Sequence, residues 1–348
     1  MRPVRLKMSR ETKKLFRGKR KFNMMMVLIP LLIVALLCGL TVYDNSRIEL
    51  DEVTFSMPTL PKALEGYSIL QLSDIREKQF GENAGKLEKV LGNTQYDIVV
   101  LTGDLLGRDG DNTGLHQALC YFQAQGKPVY FITGENDLPV TEVRKDGSFG
   151  YSDWAQDAID LGALYLDVPV VLNDGETRLT LMPASSLLLE TSSAINSLDK
   201  RLEDESLSEG EVQSIQYKKS RVEAFTAAVG NARQGDLNIM LSHIPCLSAE
   251  LQSASTTEVF GYADLILSGH HLGGQFCLPF VGALHLDNEL LPRGGWFPQG
   301  QYEKGLHEVN ATYQYISTGL GTMYEKYPAF RLCNTPQISR ITLTRKVS

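Results

Sequence analysis

Apolar residues run without a single charge over residues 24–43, and beyond them they recur in shorter blocks at strand and helix spacing. The 20-residue block MMMVLIPLLIVALLCGLTVY predicts a helix that, at ~1.5 Å per residue, crosses the ~30 Å hydrocarbon core of a bilayer. Pro30 is no obstacle, because prolines are tolerated in membrane spans. Residues 44–66 alternate apolar positions (Ile48, Leu50, Val53, Phe55) and then carry Pro58, Pro61 and Gly66, which predicts a tether with a first edge strand. From Tyr67 the pattern becomes strand then helix: YSILQL, a helix around Leu87 to Leu91, DIVVLT, an amphipathic helix from Leu115 to Gln125, and PVYFIT. LTLMPAS, LNIMLSH, ADLILSGH and the closing ISRITL continue the rhythm. Near-continuous apolar strands alternating with helices predict βαβ units and a largely parallel inner sheet.

One segment departs from this rhythm. Residues 186–235 are charged, with Leu187, Ile195, Leu198 and Leu202 at helical spacing, then Val212, Ile215, Val222 and Phe225. DESLSEGE separates the two runs, and Ser208 with Glu211 reads as a capping box opening the second. An inserted helical hairpin follows, either a packing element or a lid and protein-partner surface. Because the strands are complete without it, the hairpin is expected to be dispensable for folding.

Charge sets direction and excludes one class of ligand. Ten of the 34 Lys+Arg lie in residues 1–23 with only Glu11 among the 41 acids, leaving the remainder at −16. So acidic a body does not bind nucleic acid, which needs clustered cations. The basic segment 1–23 keeps the N-terminus cytoplasmic and exports residues 44–348. No A-x-A-like site follows Tyr43, so the helix reads as an uncleaved signal anchor in the cell membrane rather than a signal peptide. Cys38 lies in the span; Cys120, Cys246, Cys277 and Cys333 form no C-x-x-C pair, and a disulfide among these four stays open.

The strands end in polar residues, where α/β sheets bind ligands. Asp74 and Arg76 follow the first, Asp104 the second, Glu135, Asn136 and Asp137 the third, and His243, His270 and His271 come from later ones. Carboxylates and imidazoles gathered at one sheet end need a cation, and mixed O/N ligands suit Zn, Mn or Fe.

This order of segments resembles the calcineurin-like metallophosphoesterases, whose pattern is D-x-H, G-D, G-N-H-[DE], a lone His and G-H-x-H. GHHLGGQ, YISTGLG, Pro328, Arg331 and ISRITL resemble the bacterial membrane-anchored branch, and the likeness runs from Tyr67 to about Leu343. It implies a four-layer α/β/β/α fold, two central mixed sheets flanked by helices, spanning 67–348 after one transmembrane helix. It also implies hydrolysis of phosphomonoesters or phosphodiesters at a two-metal centre.

Departures from the pattern fall on one metal. Asp74 and Asp104 match, but Arg76 stands for the first histidine and Leu272 for the last. The second metal's set corresponds to Asp104, Glu135, His243 and His270, all able to bind, so one divalent transition metal is expected. Arg76 then either forks onto Asp74 and Asp104 as a substitute cation or swings to solvent. Asn136 replaces the general-acid histidine and can donate a hydrogen bond but not a proton. One metal and Arg76 against Asp74, Asp104 and Glu135 leave no net charge, so a phosphate is held less strongly than at two metals. His271 and Arg331 are candidate substrate contacts, as is Arg293. Two functions follow: a one-metal hydrolase of envelope or lipid-linked phosphoesters, or an inactive surface module that kept the fold.

The charge bias predicts that protease added to intact cells degrades residues 44–348. Survival of that portion while a surface control is cut would reverse the orientation.

Overall fold

The computed structural model describes residues 10–174, 178–184, 191–230, 236–246, 263–278, 280–286, 295–298, 303–309, 312–323 and 328–345. Leu187 and Arg293 lie outside them. Twelve strands build two six-stranded mixed sheets. The first holds β1 (Glu49–Ser56), β2 (Ser68–Leu72), β3 (Ile98–Thr102), β4 (Val129–Ile132) and β5 (Ala163–Tyr165). The second holds β6 (Val170–Asp174), β7 (Arg178–Pro183), β8 (Leu237–Ser242), β9 (Leu265–Ser268), β10 (Gly305–Val309) and β11 (Thr312–Ile316). The closing strand β12 (Gln337–Thr344) returns to the first sheet, giving the order β1-β12-β2-β3-β4-β5 beside β10-β11-β9-β8-β7-β6. Strands β2 to β5 run parallel, as do β7, β8, β9 and β11, while β12 lies antiparallel to β2.

Burial on both faces explains the unbroken apolar strands. In β2 and β3, Ile69, Ile98 and Val100 point between the sheets towards Ile239, Leu241 and Leu267. Their neighbours Leu70, Leu72, Val99 and Leu101 point outward, under α2 (Gly85–Leu91), α3 (Thr113–Ala124) and α4 (Asp153–Asp160). Alternate side chains of an extended strand face opposite ways, so a strand covered on both sides needs apolar residues at every position. Gln71 is a buried exception in mid-strand. Its amide donates to Thr102 Oγ1 (2.9 Å) and to Ser268 O of the other sheet (2.9 Å), tying the layers together just beneath the strand ends.

Helix α1 (Arg10–Ser46) carries the apolar stretch Met24–Ser46, whose side chains are exposed from Met24 to Tyr43 except for the partly covered Leu37 and Thr41. This single apolar helix suits a membrane anchor. The expected tether is not a loose one. Only Arg47 and Ile48 separate the helix from β1, which pairs along its whole length with β12.

Within the segment 186–235, of which 186–190 and 231–235 lie outside the described residues, the chain forms α5 (Thr191–Leu202) and α6 (Glu209–Gly230). Ser208 N–H donates to Glu211 Oε2 (2.8 Å) and Glu211 N–H to Ser208 Oγ (3.4 Å), which is the capping box. Dispensability of the hairpin is not supported. Phe225 of α6 is buried with Met240, Ile266, Cys246 and Ala263 on the outer face of the second sheet, so α6 supplies part of that sheet's cover. All five cysteines are free thiols in the structure.

Phe225→Ala is therefore expected to lower unfolding free energy by about 3 kcal/mol, read from chemical denaturation of the full chain. A loss below ~1 kcal/mol would return the hairpin to the status of an appendage.

Candidate metal centre

Register brings the polar loops to one level. Leu72 pairs with Leu101, Thr102 with Ile132, and Ser242 with Ser268, so the loops after β2, β3, β4, β8 and β9 leave the sheets together. Backbone bonds then stitch them: Asp74 N–H to Gly103 O (3.0 Å), Arg76 N–H to Asp104 O (3.1 Å) and Gly269 N–H to His243 O (3.0 Å). Asp74, Arg76, Asp104 and His270 all adopt left-handed backbone, with φ of 50°, 48°, 51° and 71°. Such non-glycine residues are strained by ~1–3 kcal/mol each and collect at sites whose surroundings hold them there. Gly103 has no alternative, because at its φ of 86° a Cβ would meet His243 Nδ1 at 2.7 Å.

Asp74 and Asp104 are both fully buried. Asp104 Oδ1 accepts from Asn136 N–H (3.1 Å), and Oδ2 from Asn136 Nδ2 (2.8 Å) and from Arg76 Nη2 in a buried ion pair. Arg76 thus turns inward onto a carboxylate and not to solvent. Asp74 Oδ2 accepts from Ser73 Oγ (2.7 Å) and His270 N–H (3.0 Å), whereas Asp74 Oδ1 is buried with no hydrogen-bond partner among the described residues. His243 Nδ1 donates to Thr102 O (2.9 Å), which turns Nε2 towards Asp104 Oδ2 (3.4 Å) and His270 Nδ1 (3.3 Å). Glu135 is half exposed, its Oε1 3.7 Å from His270 Nδ1.

The electrostatics call for positive charge. Burial opposes protonation of His243, yet Asp104 beside it and Asp74 behind push its pKa up to about 9. Burial likewise works against ionised Asp104, but His243, Arg76 and Asn136 hold it well below the usual carboxylate range. His270 moves the other way, lowered by burial and by neighbouring His243.

A divalent metal fits these residues on two observations. Asp74 Oδ1 is a buried carboxylate oxygen without a hydrogen-bond partner among the described residues, costly unless a cation meets it. Asp74, Asp104 and His243 each offer a ligand atom, all within 4.8 Å of one another. Beside them a cavity of about 290 Å³ is lined by Gly134, Glu135, Tyr165, Ser242, His243 and Ile244.

Arg331 is completely buried, and its guanidinium donates to Gly321 O (2.7 Å), Thr318 O (2.9 Å) and Leu272 O (3.4 Å), clamping the loops behind the site. His271 is buried beside His270, ring centroids 5.4 Å apart, and lines a second small cavity with His270, Gln275 and His285. The extended backbone that would turn it away is not adopted, since its φ and ψ are −73° and −11°. Asp137 has a structural part: Oδ1 accepts from Leu105 N–H (2.7 Å) and Leu106 N–H (2.9 Å), and Oδ2 from Gly134 N–H (2.8 Å), fixing the two loops that carry Asp104 and Glu135.

The chain belongs to the calcineurin-like phosphoesterase family, whose profile matches residues 67–273. Its metal cluster, Asp74, Asp104 and His243, is partial. No curated protein matches the chain. Among solved structures it is similar to a phosphopantetheinyl hydrolase from Mycobacterium tuberculosis, at 14% identity over 74% of this chain and 91% of that one, TM-score 0.38. It is also similar to the protein TT1561 of Thermus thermophilus, at 12% identity over 73% and 90%, TM-score 0.40.

Arg76→Met leaves two buried carboxylates without their permanent cation, and in chelator should cost about 3–5 kcal/mol. Thermal unfolding with and without added Mn or Zn checks this, the metal restoring part of the loss. An unchanged melting temperature in chelator would deny Arg76 its neutralising part.

Proposed function

We propose that the exported four-layer domain is a one-metal phosphoric ester hydrolase acting on envelope or lipid-linked phosphomonoesters or phosphodiesters. The observation that carries this reading is the orphaned, buried Asp74 Oδ1 within a cluster of carboxylates and imidazoles beside an open cavity. Asp74, Asp104, Glu135, His243 and His270 are the ligands assigned. A transition metal held there would supply Lewis acidity at a phosphoryl oxygen and lower the pKa of a bound water.

The chain's own residues then divide the work. Arg76, fixed on Asp104, cancels one of the two buried negative charges and so limits how strongly the site repels a phosphate. His243 is kept in one tautomer by Thr102 O, with Nε2 aimed into the cluster. Asn136 is exposed and its Nδ2 donates to Asp104 Oδ2 (2.8 Å), which leaves its second amide proton for a phosphoryl oxygen but none to protonate a leaving group. Substrates whose leaving groups depart without a proton are therefore favoured, since losing a general acid costs ~10²–10⁴ in rate.

A second reading is favoured by one observation: the Arg76–Asp104 ion pair fills the place where the family's first metal is bound. On that reading the domain is an inactive binding or scaffold module, and the partner surface is the α5–α6 hairpin.

Elemental analysis of the purified full chain should find about one transition metal, lost in His270→Ala. Arg76→His with Leu272→His should move stoichiometry towards two, and Asn136→His added to these should raise hydrolysis of a generic phosphodiester. Two tightly bound metals in the unaltered chain would overturn the one-metal assignment; none, with no turnover of any phosphoester, would decide for the inactive module.

A further inference from the structure

The exit of the apolar helix is fastened to the domain at one place. Asn45 Nδ2 donates to Arg331 O (2.7 Å) and Arg331 N–H to Asn45 Oδ1 (2.9 Å), while Thr335 Oγ1 bonds Asp44 (3.2 Å) and Lys78 Nζ bonds Asn45 O (3.1 Å). Tyr43 and Val42, one turn back, are exposed, as are most of the residues before them. Segment 330–335 therefore sits where the span leaves the bilayer.

The loops hydrogen-bonded to that segment carry a set of exposed apolar side chains. Cys277 N–H bonds Leu332 O (2.9 Å), Leu332 N–H bonds Gln275 O (3.1 Å), and Phe276 stacks edge-on to Phe330 at 5.3 Å. Between the paired strands Cys277–Leu278 and Gly282–Ala283 the chain turns through Phe280, which is fully exposed, and Val281, at 59%. A neighbouring pair, His285–Leu286 with Gly295–Trp296, presents Trp296 at 71% and is followed by Phe297 at 61%, whose N–H bonds Leu284 O (2.7 Å). Leu284 N–H in turn bonds Phe276 O (2.8 Å). A continuous bonded network thus links Asn45 at the helix exit to Phe280, Val281, Trp296, Phe297 and Phe330.

We propose that these loops are a second membrane contact, inserting Phe280, Val281, Trp296 and Phe297 into the interfacial layer of the leaflet from which α1 emerges. The occupant follows from continuity: the span places the bilayer surface at Asn45, and the exposed side chains are bonded through two short loops to that residue. Tryptophan and phenylalanine are the residues that settle at the headgroup and acyl boundary. An apolar set of this kind left in water would be an aggregation liability. The inner side of the same loops, Phe276, His285 and Leu286, lines the small cavity that ends at His270 and His271. The contact would therefore hold that cavity at the lipid surface. It rests on the reading of α1 as a span and is independent of turnover.

The chain holds two tryptophans, Trp154 buried against Phe131 in the core and Trp296 in these loops. The full-length chain is reconstituted in phosphatidylethanolamine–phosphatidylglycerol vesicles, with either ordinary or dibrominated acyl chains, and its emission compared with that of Trp296→Phe. Because Trp296 is exposed, its replacement leaves the core untouched. The brominated lipid is expected to roughly halve the Trp296 contribution, and Trp296→Phe to abolish the quenching. Trp296 emission indifferent to bromine but quenched by aqueous iodide would place the loops in water. Emission indifferent to both would place them under protein, such as a second copy of the chain. Either result overturns the lipid contact. Extraction of the unaltered chain from vesicles by alkaline carbonate would overturn the span, and the contact with it.

Discussion

The site depends on neutralising two carboxylates that the sheets bury. Asp74 and Asp104 stand on loops leaving adjacent parallel strands, with no solvent to screen them. A guanidinium that never loses its proton answers one of them directly. Everything nearby is arranged around that pairing, including the left-handed turns at Asp74, Arg76 and Asp104 and the amide of Asn136 against the same carboxylate. A buried ion pair adds little net stability, but removing one partner is severe, so Arg76 constrains the whole loop cluster.

It follows that metal and fold are less tightly coupled here than where two cations hold the carboxylates. Half of the compensation is covalently part of the chain. What a metal would still meet is the oxygen of Asp74 that lacks a hydrogen-bond partner among the described residues and the paired imidazoles of His243 and His270, on the side of the cluster that opens to the cavity by Glu135. The pairing also sets the pull on a phosphate, since each positive charge committed to a buried aspartate is withdrawn from a ligand.

Much of the fold was legible because the inner strands carry apolar residues at every position, as in VVL of β3, and end in motif residues of fixed spacing. The short or alternating strands β5, β6, β10 and β11 were not, because three to five residues of mixed polarity carry no period of their own. Nor was the placing of β12 between β1 and β2, a pairing across nearly the whole chain that no local pattern encodes. Of the site, Asp74, Arg76, Asp104, His243 and His270 were found together as the motif order implied. The burial of Arg331 was not legible, because arginine in a Gly/Pro-rich loop usually meets solvent; only the structure shows three backbone carbonyls waiting for it. The layer that Phe225 covers was not legible, because helical spacing marks an apolar face without saying what it packs against.

The junction at Arg47 and Ile48 fixes more than position. With two residues between helix and strand, and Asn45 held by Arg331, the domain has no free rotation about the span. Its angle to the bilayer is therefore the tilt of α1. Hydrophobic mismatch tilts a helix in a thinner membrane and rights it in a thicker one, so bilayer thickness becomes a variable that swings the whole domain, and the mouth of its site, through the same arc.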